Sequence, residues 1–228
     1  MSQFPTFRAR VTYYAHLFKA LTRQHHEELV PTLKPYIPDD AVIVDIGAHA
    51  GQFSKLFSKM APAGHIYAFE PGAYALSILK KVKAVRGLRN VTIVPYGLSD
   101  TAGEAALHTP IKNSGSLGFG LSSLSSESKT GRSHATPISL TTLDTYFEAS
   151  PPQKIDFIKA DIEGWELNML KGAQKTLARY RPTIMLEINE AALAKAGTNK
   201  QALVDYMQSQ GYTITGLAHN DVIFTHAA

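Results

Sequence analysis

Ala41-Val42-Ile43-Val44-Asp45-Ile46-Gly47-Ala48-His49-Ala50-Gly51 is the stretch that decides the fold. Val42, Ile43 and Val44 form a β-branched run too short for a helix face, which predicts a strand buried on both sides. An acid and two glycines follow as Asp45-x-Gly47-x-x-x-Gly51, and Phe53, Leu56, Phe57 and Met60 then recur at helical spacing. The stretch therefore reads strand, tight glycine turn, helix. In an open α/β sheet such a turn lies at the carboxyl end of a strand, where ligands bind and the first helix turn offers unpaired N–H groups. Gly47 would let backbone approach a ligand closely, and Gly51 would let helix pack on strand. Glycines serving turn geometry alone are the competing explanation.

The ligand follows from what is missing. A dinucleotide fingerprint needs G-x-G-x-x-G, and here His49 and Gln52 stand where its second and third glycines belong. A pyrophosphate cradle is therefore disfavoured. Asp45, at the end of the first strand, would repel phosphates and suits a ligand bearing an ammonium or a sulfonium. Downstream, His65-Ile66-Tyr67-Ala68-Phe69-Glu70-Pro71 predicts a second strand ending in Glu70, an acid placed to accept both hydroxyls of a ribose. Asp45 and Glu70 together point to an adenosine ligand without phosphates. At these residues the sequence resembles the class I methyltransferases that bind S-adenosylmethionine.

The chain has 228 residues, enough for one α/β domain with a substantial core. We divide it into an N-terminal helical extension, residues 1–38, and a sheet domain, residues 39–228. With 44% hydrophobic and 18% charged residues it has the composition of a globular protein in water. Its formal charge of +4 is modest and its basic residues are scattered, so no nucleic-acid partner is expected. The absence of cysteine excludes disulfides, thiolate zinc sites and cysteine nucleophiles. No apolar run reaches the roughly 18 residues of a membrane span, and His16 and Lys19 interrupt Val11 to Leu21, so neither a span nor a secretory signal is expected. The expected location is the cytoplasm.

Val11, Tyr14, Leu17, Phe18 and Leu21, then Leu29, Val30 and Leu33, predict one or two amphipathic helices ahead of the sheet. Tyr13, Tyr14, His16, His25 and His26 can there touch a substrate or a second copy of the chain, or the helices simply cover the open side of the domain. After Glu70, a helix carries Tyr74, Leu76, Ile78, Leu79 and Val82, and Asn90 to Tyr96 is a third strand. Ser99 and Asp100 follow that strand, where an adenine edge could meet backbone and a small polar side chain. Thr101 to Thr136 is the least regular part, and its Gly/Ser-rich segment at about 109–136 reads as a mobile loop or lid. Further strands are expected at Ile155 to Asp161 and Pro182 to Asn189, each with a following helix, Leu167 to Leu177 and Ala192 to Gln210. Tyr212 to Thr215 and Asp221 to Thr225 close as an antiparallel hairpin.

Phe157 to Ala173, with Asp161-Ile162-Glu163-Gly164-Trp165-Glu166 at its centre, combines with Val44 to Gly51 and Phe69-Glu70-Pro71. This set resembles the FkbM family of S-adenosylmethionine-dependent methyltransferases. Leu98-Ser99-Asp100, Ser122-Ser123-Leu124, Thr142-Leu143-Asp144 and Arg181-Pro182 with Glu187 add to the likeness, which covers roughly Asp39 to Asn189. It departs at Ala160, where the family more often has a bulkier apolar residue. The resemblance implies a Rossmann-like class I methyltransferase fold, a seven-stranded sheet with an antiparallel last strand, and O-methylation of a small hydroxylated acceptor such as a sugar or secondary metabolite. It implies cofactor contacts from Asp45, Gly47, His49, Gly51, Glu70, Ser99, Asp100 and Asp161.

Methyl transfer to an alcohol needs the acceptor oxygen, methyl and sulfur held in line and the hydroxyl proton removed. Asp161, Glu163 and Glu187 converge at the ends of adjacent strands and are the catalytic candidates, with a nearby histidine as a further base. Alternatively, Asp161, Glu187 and Asn189 would ligate Mg²⁺ through oxygen. Capping of a helix N-terminus is the structural alternative for Asp161 and Glu163. N-methylation is disfavoured because no Asn-Pro-Pro-Tyr-like block follows the fourth strand. A cofactor-binding module without turnover is the remaining alternative.

Overall fold

The structure, a computed structural model, describes residues 7–110, 133–218 and 221–227. The helices are α1 (Phe7–Thr22), α2 (Val30–Leu33), α3 (Gln52–Met60), α4 (Ala73–Arg86), α5 (Leu143–Ala149), α6 (Glu166–Lys171), α7 (Gln174–Tyr180), α8 (Glu190–Lys195) and α9 (Lys200–Ser209). The strands are β1 (Val42–Ile46), β2 (His65–Phe69), β3 (Val91–Val94), β4 (Gly97–Leu98), β5 (Gly103–Pro110), β6 (Ser133–Thr141), β7 (Phe157–Ala160), β8 (Thr183–Glu187), β9 (Tyr212–Ala218) and β10 (Asp221–His226).

The main sheet has the order β3-β2-β1-β7-β8-β10-β9. Strands β1, β2, β3, β7 and β8 are parallel, and β10 runs antiparallel between β8 and β9. This is the expected seven-stranded sheet with its last strand reversed. From β1 the chain first builds outward through β2 and β3, and later returns to place β7 on the other edge of β1. Ligands bind at such a switch point, outside the carboxyl ends of the strands.

Both faces of the sheet are covered, which is why its central strands lack a polar alternation. The two faces still sort by the two-residue period of a strand. Val44, Ile46, Ile158 and Ala160 pack on the side of Leu143, Met169, Leu177 and Leu203. Ile43 and Phe157 pack on the side of Leu33, Ile37, Leu56 and Phe57.

Two expected helices are each divided. Leu167 to Leu177 breaks at Gly172, where a Cβ would lie 2.0 Å from the Ser99 carbonyl oxygen, so close backbone approach interrupts the helical face. Ala192 to Gln210 breaks at Gly197, left-handed at φ +75°, and Asn199 then caps α9 by accepting from the Ala202 N–H. The region expected to be least regular is also corrected. Its described ends, β5 and β6, pair antiparallel from Gly103 opposite Leu140 to Pro110 opposite Ser133 and form a second sheet with β4. Glycine and alanine give β5 little strand propensity, and β6 supplies the pairing that stabilises it. The Gly/Ser-rich centre of the expected lid lies outside the described residues.

Helix α1 lies against α4. Tyr13 is buried, and its hydroxyl receives hydrogen bonds from Lys81 Nζ at 2.7 Å and Ser77 Oγ at 3.1 Å. His16 Nδ1 lies 2.8 Å from the Tyr74 hydroxyl. Val11, Tyr14 and Phe18, three of the apolar residues whose spacing predicts this helix, are exposed. Among the described residues no helix is long and apolar enough to cross a membrane.

The carboxyl end of α1 is fixed by a buried lysine. Lys55 of α3 donates to the Ala20 carbonyl at 2.6 Å and the Arg23 carbonyl at 2.7 Å, using oxygens that a helix end leaves without internal partners. Burial, with Arg86 and Lys59 nearby, brings the Lys55 ammonium down to about 8. Lys55→Met keeps the stem and removes both bonds. It should lower stability by about 1–3 kcal/mol in urea unfolding and speed amide exchange in α1; unchanged stability and exchange would contradict this role.

Candidate functional site

A cleft of about 560 Å³ opens at the carboxyl ends of β1, β2, β7 and β8. The turn after β1 forms its floor. Gly47 has φ +74°, and a Cβ there would stand 2.0 Å from the Asp161 carbonyl oxygen, so only glycine lets the turns after β1 and β7 touch. The Gly47 and Ala48 N–H groups both donate to the Phe69 carbonyl at 3.0 Å. Gly51, at φ +83°, precedes α3 and lies against Leu79.

Glu70 is buried at the tip of β2. Its carboxylate accepts from the His49 N–H at 2.8 Å and the Gly72 N–H at 2.7 Å. Burial pushes its pKa up to about 7 against these two donors. Each oxygen has a second lone pair and can accept a further hydrogen bond. His49 reaches this contact through a left-handed backbone, φ +48°, and leaves its ring exposed at the cleft wall.

Asp45 is corrected. It was expected to face a cationic ligand, but it lies inside β1, fully buried and absent from the cleft wall. The strand continues two residues further than its β-branched run, so Asp45 points into a face of the sheet rather than off its tip. The Ser54 hydroxyl donates to it at 2.5 Å, and Lys159, its register partner on β7, lies 3.7 Å away. Burial raises the Asp45 pKa, with Lys159 and Ser54 opposing.

The acid that faces the cleft is Asp161, one residue beyond β7, with Lys159 Nζ 3.5 Å from its carboxylate. Burial opposes both charges. Lys159 is nevertheless held above its ordinary range by Asp161, Asp45 and Asp221, and Asp161 is held below its own by Lys159 and a hydrogen bond with Glu187. Glu187 moves the opposite way, its pKa raised by burial and by the neighbouring Asp161 charge. Asp161 therefore favours its ionised form and Glu187 its protonated form, and the two titrate as a pair. Glu163 also lines the cleft, pushed up to about 7 by burial and then by Asp161 and Glu166.

Neither Asp161 nor Glu163 caps α6, which has no side-chain cap; Glu166, its first residue, instead braces the turn ahead of it. Its carboxylate accepts from the Ile162 N–H at 3.0 Å and the Gly164 N–H at 3.3 Å and closes the turn before α6. Ser99 and Asp100, expected at an adenine edge, sit behind the wall. The Ser99 hydroxyl donates to Asp100 at 3.0 Å and accepts from the Trp165 indole at 3.1 Å, while Tyr96, Gly97 and Leu98 line the cleft. Asn189 caps α8 by accepting from the Ala192 N–H and does not line the cleft. Among the described residues no group of three or more His, Cys, Asp or Glu side chains is placed to hold a metal ion. The proposed Mg²⁺ donor set does not fit, because Asn189 Oδ1 is engaged at the start of α8 and lies off the cleft wall.

Leu107, just ahead of the expected lid, was not foreseen as a wall residue. With Thr109, His134 and Thr136 it roofs the cleft from β5 and β6, and His26, one of the N-terminal residues expected to touch a substrate, also lines it. The alternating side chains of Leu107 and Thr109 were the available signal, weakened by the surrounding alanines.

The sheet order, the glycine turn and the acid ending β2 define a class I methyltransferase. The methyltransferase FkbM domain model matches residues 45–214, and the chain belongs to that family of S-adenosylmethionine-dependent methyltransferases. It is 25% identical over 193 residues to the 2-O-methyltransferase NoeI of Sinorhizobium fredii, covering 81% of this chain and 76% of that one. It is 27% identical over 197 residues to the methyltransferase sdnD of Sordaria araneosa, covering 73% and 74% respectively. The crystal structure of an FkbM methyltransferase from Methylobacillus flagellatus shares the fold with a TM-score of 0.56 at 18% identity, covering 95% of this chain and 59% of that one.

A raised carboxyl pKa makes stability fall with pH. Folded Glu163 holds its proton more tightly than the unfolded chain does, so its contribution is complete below the ordinary carboxyl range and is lost as pH rises through about 7. Glu163→Gln should therefore melt higher than the wild type at about pH 8, the advantage shrinking towards about pH 4. Parallel melting curves across that range would contradict it.

Proposed function

We propose that this protein moves the methyl group of S-adenosylmethionine to a hydroxyl of a small molecule, such as a sugar or secondary metabolite. The observation that carries this is the Asp161–Glu187 pair, two carboxyl groups in the cleft wall at the tips of adjacent strands, with Lys159 Nζ 3.5 Å from Asp161. The cleft volume suits a small acceptor beside the cofactor. NoeI, a relative across most of the chain, is described as a 2-O-methyltransferase, which agrees with a hydroxyl acceptor.

The residues present fit the cofactor. Glu70 would take the ribose hydroxyls, the turn from Gly47 to Gly51 would lie along the ligand, and Tyr96, Gly97 and Leu98 would flank the base. Bound S-adenosylmethionine supplies an electrophilic methyl group. Asp161 and Glu187 orient the acceptor hydroxyl, and the pair has room for a second proton, which the hydroxyl gives up as its oxygen acquires the methyl. Lys159 keeps Asp161 ionised until then. Glu163 stands near enough to Asp161 to raise the local demand for a proton.

Transfer of tritium from methyl-labelled S-adenosylmethionine to a panel of methyl pyranosides and polyhydroxylated metabolites tests this. Asp161→Asn and Glu187→Gln should each lower kcat by about 10²–10⁴-fold, with affinity for S-adenosylhomocysteine within about threefold of the wild type. No label uptake by the wild type, or full turnover in both variants, would overturn the proposal.

A further inference from the structure

His26 precedes the family-matched stretch of residues 45–214, yet its side chain lines the cleft. Its backbone is left-handed at φ 68°, a conformation uncommon outside glycine that persists where the surroundings enforce it. Those surroundings are specific. Gln24 Nε2 donates to the Gln52 carbonyl at 3.1 Å, and the His25 N–H donates to Gln52 Oε1 at 3.4 Å, tying the segment to the start of α3.

The next residue of α3 receives the imidazole. His26 stacks on Phe53 with ring centroids 4.3 Å apart and planes 12° from parallel. Lys159 Nζ in turn lies 4.9 Å from the Phe53 centroid, and its ammonium contacts Asp161. Imidazole, phenyl ring and ammonium thus form a continuous stack that ends at the acid pair. Burial holds the imidazole below its ordinary pKa, so at neutral pH it presents a flat, uncharged ring.

We propose that His26 is an acceptor-positioning residue, its imidazole backed by Phe53 forming a platform for the C–H face of a pyranose acceptor. The inference rests on the hydroxyl-acceptor function above and narrows it to a ring-shaped acceptor. The turn after β1 and Glu70 hold the cofactor side without His26, so acceptor selection is drawn in part from a segment ahead of the sheet. Stacking a saturated ring on an aromatic face uses the same apolar contact and weak electrostatics as aromatic pairing, and asks of residue 26 flatness rather than charge.

The test measures tritium transfer at saturating S-adenosylmethionine to the methyl pyranoside most active with the wild type. His26→Asn tolerates the left-handed backbone and removes the platform. It should raise the pyranoside KM about five- to tenfold, with kcat and S-adenosylhomocysteine affinity within about twofold. His26→Phe should restore KM to within about threefold of the wild type. Unchanged KM in His26→Asn, or a KM in His26→Phe as poor as in His26→Asn, overturns the inference while the wild type remains active. If no pyranoside takes up label in the wild type, this inference fails; uptake confined to acyclic polyols removes it alone. Should His26→Asn fail to bind S-adenosylhomocysteine, carbon-13 histidine spectra of the wild type decide, because the His26 Cε1 resonance must shift when the active pyranoside is added.

Discussion

One buried ammonium connects the centre of the sheet to the chemistry at its edge. Lys159 and Asp45 face each other across two parallel strands, 3.7 Å apart, and Lys159 also reaches Asp161 at 3.5 Å. Taking such charges out of water costs several kcal/mol per ion, and only close pairing with further hydrogen bonds offsets it. Ser54 on Asp45 and the Ile46 carbonyl at 3.4 Å from Lys159 supply part of that pairing. The single cation serves two acids: it lets Asp45 remain inside β1 and it keeps Asp161 ionised beside Glu187. Without it the floor of the cleft would hold unpaired carboxylates.

The division of the cleft follows from the topology. Strands β1 and β2 supply the turn and the acid that suit an adenosyl ligand, whereas β7 and β8 supply Asp161 and Glu187. Because β1 lies between β2 and β7, the two sets meet at one crevice. The β5–β6 hairpin and the segment around His26 close the remaining sides, and neither belongs to the main sheet.

Much of this was legible in the sequence, and the exceptions have physical causes. The strand, turn and helix from Ala41 to Met60, the acid at Glu70 and the reversed last strand were visible because burial on both faces and glycine turns leave compositional marks. Asp45 misled because composition does not show where a strand stops: two more residues of β1 turned a tip acid into a core acid. Asp161, by contrast, reaches the cleft wall because β7 ends just before it. Ser99 and Asn189 fall near the right strand ends, but their side chains serve Trp165 and the start of α8, contacts that depend on packing between distant segments. His26 was legible only as one of five N-terminal side chains that could touch a substrate, since its particular place comes from a left-handed turn and a ring met only in three dimensions.

The most direct measurement of the account is a crystal structure of the protein with S-adenosylhomocysteine. The account predicts the ribose hydroxyls within hydrogen-bond distance of Glu70, the sulfur directed toward Asp161 and Glu187, and Asp45 without ligand contact. A cleft that stays empty at saturating ligand, or a ligand bound away from the tips of β1 and β2, would contradict it.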